Sequence, residues 1–196
     1  SLNCIVLGKD VTPDMPEWDL FIKEVRKEMT VKCGQKCTAI RRIFVPEDKI
    51  EDVHIALGKA LAQTTIGNPF NEKVRMGALA GNTQRNEVRE QVQRLLASSQ
   101  IIYGSLDSVE VIDADAQAGA FMSPILLLNE NPFNSQEVHE VEAFGPVSTL
   151  MPYRTTDEAI QLAKMGKGSL VSSIVTADAS IAKNFVLGAG AWHGRM

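Results

Sequence analysis

Residues 17–42 read EWDLFIKEVRKEMTVKCGQKCTAIRR, and this stretch decides the fold. Trp18, Phe21, Ile22, Val25 and Met29 recur at helical intervals on one face, so an amphipathic helix runs through its first half. Asp14 and Glu17 stand just ahead at the spacing of a capping box. The helix runs straight into a tight loop that crowds a glycine, a glutamine and two cysteines before a basic strand. In front of it lies SLNCIVLGKD, whose apolar run from Leu2 to Leu7 reads as another strand.

Working outward, Ile43, Phe44 and Val45 form a short strand ended by Pro46. Glu47 and Asp48 suit the first turn of a helix that carries Ile50, Val53, Leu57 and Leu61. A breaker cluster, IGNPFNEK, follows. GNTQRNEVREQVQRLLASS is a second amphipathic helix through Val88, Val92, Leu95 and Leu96. IIYG, FMSPILLL, VSTLMPY and SLVSSIVT read as strands, with Thr155 and Glu158 capping one intervening helix and Asp178 capping the last. Strands alternating with helices predict an α/β domain with a largely parallel sheet flanked by helices. The ending AWHGRM follows a glycine-rich turn and is expected to add no closing element.

The chain has 196 residues, 44% hydrophobic and 22% charged, which suits one globular domain with a sizeable core. Its net charge of −4, with basic and acidic residues interleaved, argues against a nucleic-acid partner. The longest apolar run, around PILLLNE, is too short to span a bilayer, so no membrane partner is expected. Cys4, Cys33 and Cys37 cannot all pair with one another, which points to a reducing, cytoplasmic compartment. The start directly in a strand, with no polar leader, reads as a piece cut from a longer protein.

Cys37 is the candidate for chemistry. A thiol nucleophile needs a partly open loop, a means of forming thiolate, and donors aimed at the oxyanion that forms when it attacks a carbonyl. Gly34 lets the backbone turn sharply, Thr38 and Ala39 keep bulk away, and the amide of Cys37 itself can donate to that oxyanion. The competing reading makes the cysteine a buried packing residue of an interaction module. No metal site is expected: Cys33 and Cys37 are at most half of one, and His54, His139 and His193 lie singly and far apart.

Residues 34–42, GQKCTAIRR, resemble the active-site motif G-Q-x-C-x-A-x-x-R of the aldehyde dehydrogenase superfamily, matched at Gly34, Gln35, Cys37, Ala39 and Arg42. EAFGPV resembles that family's second signature, E-x-F-G-P-V, through Glu142, Phe144, Gly145, Pro146 and Val147. Between them, IGNPFNEKVRMGAL resembles a G-D/N-P turn followed by a G-P-L-like step at Gly77 to Leu79, and FMSPILL resembles an F-x-x-P-T strand. The four motifs occur in the family's order across nearly the whole chain. Within the family, SLNCIVLGKD, residues 17–42 and LGAGAWHGRM resemble the group in which the dehydrogenase is fused to a MaoC-like enoyl-CoA hydratase in phenylacetate degradation. The chain departs from the common pattern at Lys32, where asparagine is frequent, and at MGKGSLVSS, which replaces Y-G-L-A-A.

The resemblance implies the catalytic domain of the aldehyde dehydrogenase fold. Cys37 would attack an aldehyde, in the phenylacetate group a semialdehyde carrying a CoA thioester, and the resulting thioester would pass to water or, in CoA-acylating members, to coenzyme A. Glu142 would hold the hydroxyls of the nicotinamide ribose of NADP or NAD, with Phe144 packing near the same sugar. Residues 1–196 contain no G-x-G-x-x-G, so the Rossmann-type cofactor domain is expected outside the chain, together with the base that activates water and the asparagine that completes the oxyanion hole. The surface facing that missing domain is expected to be apolar, and the protein to form a homo-oligomer.

Overall fold

The computed structural model describes all 196 residues. Its elements follow the pattern read from the sequence, with the short α4 and β7 in addition: β1 (Asn3–Leu7), α1 (Pro16–Thr30), β2 (Ile40–Pro46), α2 (Ile50–Ala62), α3 (Asn82–Leu95), β3 (Gln100–Tyr103), β4 (Ile125–Leu128), α4 (Glu137–Glu140), β5 (Val147–Tyr153), α5 (Thr156–Met165), β6 (Ser169–Val175), α6 (Ala179–Ala189) and β7 (His193–Arg195). One seven-stranded sheet has the order β3-β4-β5-β2-β1-β6-β7. β3 is antiparallel to β4, and every other pairing is parallel.

Successive side chains of the central strands enter two different cores. Cys4 and Val6 of β1 and Phe44 of β2 join Val88 and Val92 of α3, Leu162 of α5 and Phe185 of α6 on one face. Ile5, Leu7, Ile43 and Val45 join Phe21 and Val25 of α1 and Val53 and Leu57 of α2 on the other. The near-continuous apolar runs of β1 and β2 follow from this, because a parallel sheet covered by helices is buried on both faces.

Two expectations are corrected. The capping box does not form: Met15 is the N-cap of α1, with no side-chain cap, and Asp14 instead accepts from Thr12 Oγ1 at 2.5 Å. Proline is most at home at the first helical position, so Pro16 sets the start of the helix one residue later than Asp14 requires. The chain also does close, with β7 adding to the sheet edge at β6 through Ser169 opposite His193 and Val171 opposite Arg195.

Arg42, on β2, is a fully buried cation with no carboxylate partner. Its guanidinium donates instead to the Leu2 carbonyl at 2.9 and 3.0 Å, to Leu162 and Ala163 carbonyls at 2.8 and 3.1 Å, and to His139 Nδ1 at 3.1 Å. These bonds lash the start of β1 and the end of α5 to β2.

Candidate active site

The cysteine loop is shaped by three successive residues in the left-handed region, Lys32 (φ 53°), Cys33 (φ 54°) and Gly34 (φ 65°). Gly34 has a second reason to be glycine, since a Cβ there would overlap the Gly145 carbonyl oxygen. The loop rests on the segment that carries the G-P-L-like step. The Cys33 thiol lies 3.1 and 3.2 Å from the Gly77 and Ala78 carbonyls, and Gln35 Oε1 accepts from the Ala80 N–H at 2.8 Å.

The three thiols sit in different surroundings. Cys4 and Cys33 are buried and Cys37 is exposed. Burial raises the pKa of Cys4 and pushes that of Cys33 up to about 11, so neither is a ready thiolate. Cys37 is held from behind: Asn3 Nδ2 donates to the Cys37 carbonyl at 2.9 Å and to the Ala39 carbonyl at 2.8 Å. Asn3 Oδ1 in turn accepts from the Val171 N–H and from Ser1 Oγ, each at 3.0 Å. The N–H of Cys37 donates to no group of this chain, which leaves it free for an incoming oxygen.

The second motif lies on the turn between α4 and β5. Glu142 meets the Ser1 amino group with Oε2, and its Oε1 lies 3.5 Å from Arg41 Nε. Phe144 is 41% exposed, large for an aromatic side chain beside a core. Gln35 from the cysteine loop, Glu142, Phe144, and Gln84, Glu87 and Val88 from α3 line one cleft of about 190 Å³. Gln35 is two residues from Cys37, so the two motifs border the same depression. Larger clefts lie elsewhere, one of about 530 Å³ lined by Glu47, Glu130, Arg154 and Glu158, one of about 570 Å³ beside Tyr103 and Ser123 and one of about 330 Å³ beside Leu96 and Leu128, and none of them is lined by a residue of either motif. No three metal-ligating side chains converge anywhere in the structure.

Asn3 and Arg41 belong to this arrangement and were not found by sequence reasoning. Their one signal was polarity out of place, an asparagine opening an apolar strand and two arginines inside another.

A model of the aldehyde dehydrogenase family matches residues 10–189. The chain belongs to that family. 3,4-Dehydroadipyl-CoA semialdehyde dehydrogenase of Aromatoleum evansii is 41% identical over 196 residues, covering 100% of this chain and 38% of the relative. Protein MaoC of Klebsiella aerogenes is 44% identical over 123 residues, 62% of this chain and 35% of that protein. An aldehyde dehydrogenase fold is equally plain in three dimensions. A variant of betaine aldehyde dehydrogenase from Staphylococcus aureus, solved with NAD+, superposes with a TM-score of 0.84 at 23% identity, over 98% of this chain and 37% of its own. The chain thus spans a little over a third of the length of these aldehyde dehydrogenase relatives. No helix is long and apolar enough to cross a membrane.

Proposed function

We propose that residues 1–196 are the cysteine-bearing catalytic domain of an NADP- or NAD-dependent dehydrogenase that oxidises an aldehyde to an acid, with a CoA-linked semialdehyde of phenylacetate degradation as substrate. The observation that carries this reading is the exposed Cys37, with its N–H free, on a loop that shares a cleft with Glu142 and Phe144. The name of the relative at 41% identity supports the CoA-linked substrate.

The groups present suit a dinucleotide. Glu142 Oε1 is buried and lacks a hydrogen-bond partner, so it can accept from ribose hydroxyls, and the exposed Phe144 ring offers a face to the same sugar. When bound, the nicotinamide supplies the acceptor for the hydride that leaves the substrate carbon. Cys37 Sγ attacks the aldehyde carbon, and the oxygen of the resulting thiohemiacetal takes the Cys37 N–H. Asn3 fixes the peptide that follows Cys37, which steadies the loop that carries the sulfur and that N–H. Loss of hydride leaves a thioester on Cys37, and water releases the acid. The Rossmann-type domain, the water-activating base and the asparagine of the oxyanion hole are assigned to parts of the polypeptide outside this sequence.

In the natural full-length protein, Cys37→Ser should abolish dinucleotide reduction, and iodoacetamide should label Cys37 well ahead of Cys4. Glu142→Gln should fold normally and slow single-turnover reduction, because it misplaces the ring without touching the nucleophile. Full activity in Cys37→Ser, or equal labelling of Cys4 and Cys37, would make the cysteine structural.

A further inference from the structure

The family motif leaves the residue before its arginine open, and here that residue is Arg41. Arg41 is 4% exposed, yet its guanidinium reaches both motifs at once. Nη2 donates to the Gly34 carbonyl of the cysteine loop at 2.6 Å, and Nη1 donates to the Gly145 carbonyl of the second motif at 2.6 Å. The same plane lies 5.4 Å from the centroid of the Phe144 ring. Its remaining nitrogen, Nε, stands 3.5 Å from Glu142 Oε1, and both of those atoms are buried without a hydrogen-bond partner.

We propose that Arg41 is a positioning residue that sets Glu142 and Phe144 in place relative to the Cys37 loop and leaves the buried Glu142 Oε1 without a hydrogen-bond partner, at the wall of the cleft that Glu142 lines; this rests on the reading of Glu142 as the ribose contact. Only a planar fork of donors satisfies two carbonyls, an aromatic face and a carboxylate together; a lysine ammonium meets one of these well and leaves the others without a partner. The 3.5 Å gap matters, because it is close enough for charge attraction and too long for a hydrogen bond, so Oε1 keeps an acceptor site for a hydroxyl. Arg41 itself touches neither substrate nor cofactor.

The test is a double-mutant cycle in the full-length protein, reading single-turnover dinucleotide reduction at saturating dinucleotide. Arg41→Met should slow it roughly tenfold, and Arg41→Lys by about threefold or more, although lysine keeps the charge. On a Glu142→Gln background the same Arg41→Met change should alter the rate by less than about twofold, because its effect passes through Glu142. A rate within about twofold of the parent in Arg41→Met, or the full loss recurring on Glu142→Gln, would overturn the proposal. If Arg41→Met does not fold, the cycle is run with Arg41→Lys. If Glu142→Gln alone leaves reduction at the parental rate, the ribose assignment fails, and amide hydrogen exchange decides the clamp separately. Exchange at residues 34–38 and 144–147 accelerated about tenfold in the Arg41 variant supports it, and unchanged exchange rejects it.

Discussion

Gly34 carries two constraints that come from different parts of the chain. Its φ of 65° is a local demand of the turn out of α1, and the missing Cβ is a demand of the Gly145 carbonyl packed against it. That carbonyl cannot retreat, since it already accepts from Arg41 Nη1 and from the Val147 N–H. Gly34→Ala should therefore cost on the order of 3 kcal/mol in a urea titration, the left-handed penalty plus the overlap. His139 carries a different kind of constraint. It is buried, accepts from Arg42 at Nδ1 and donates to the Pro132 carbonyl from Nε2 at 2.8 Å, so the neutral ring is the form the fold requires. Burial, aided by the Arg42 charge, lowers its pKa to about 4. The unfolded chain binds this proton near pH 6.5 and the folded chain does not, so stability falls as pH drops from about 6.5 to about 4, by about 3 kcal/mol in all. The slope of stability against pH in that window should flatten in His139→Gln, and a slope unchanged from the parent would show that other groups set it.

Helix starts show how far local pattern reaches. Asp178 accepts from the Ser180 and Ile181 N–H groups, and Thr155 accepts from the Glu158 N–H, as the sequence reading expected of both. Asp14, in an equally suitable dipeptide context, caps nothing, because Pro16 takes the first helical position and has no N–H to offer. Asp178→Ala should thus lower stability by about 1 kcal/mol, or roughly 2–4 °C in Tm, whereas Asp14→Ala should stay within about 0.5 kcal/mol of the parent. Equal losses in the two variants would mean that Asp14 stabilises the turn through Thr12 as strongly as a true cap does.

At the scale of the molecule, the candidate site lies at the amino ends of the strands. Cys37 precedes β2, Glu142 and Phe144 precede β5, and Asn3 opens β1. Open parallel sheets usually bind ligands beyond the carboxyl ends, where this chain instead has the cleft lined by Glu47, Glu130 and Arg154. The amino edge suits a site completed by another domain. The chain by itself has the continuous two-faced core that cooperative folding requires, so a single thermal transition is expected for residues 1–196 alone. Turnover with propanal and NADP should be absent from it, and a rate within about tenfold of the full-length protein, ~1.4 kcal/mol of barrier, would refute the assignment of base, oxyanion donor and cofactor domain to other segments.

What the amino-acid sequence determined is what short-range physics carries. The apolar run from Leu2 to Leu7 that makes β1, the helical face of Phe21, Val25 and Met29, and the glycine ahead of Cys37 are each legible within one or two turns of chain, and each stands in the structure where the pattern puts it. The strand His193–Arg195 was not legible, because three residues carry too little periodicity and only the open edge of β6 makes them a strand. Asn3 and Arg41 were illegible for the same reason at longer range. A buried polar side chain's role depends on which backbone groups surround it: Asn3 donates across to the Ala39 carbonyl and accepts from the Val171 N–H, while Arg41 donates to the Gly145 carbonyl. Strand order and crossover packing bring those groups together, and only the folded sheet sets strand order.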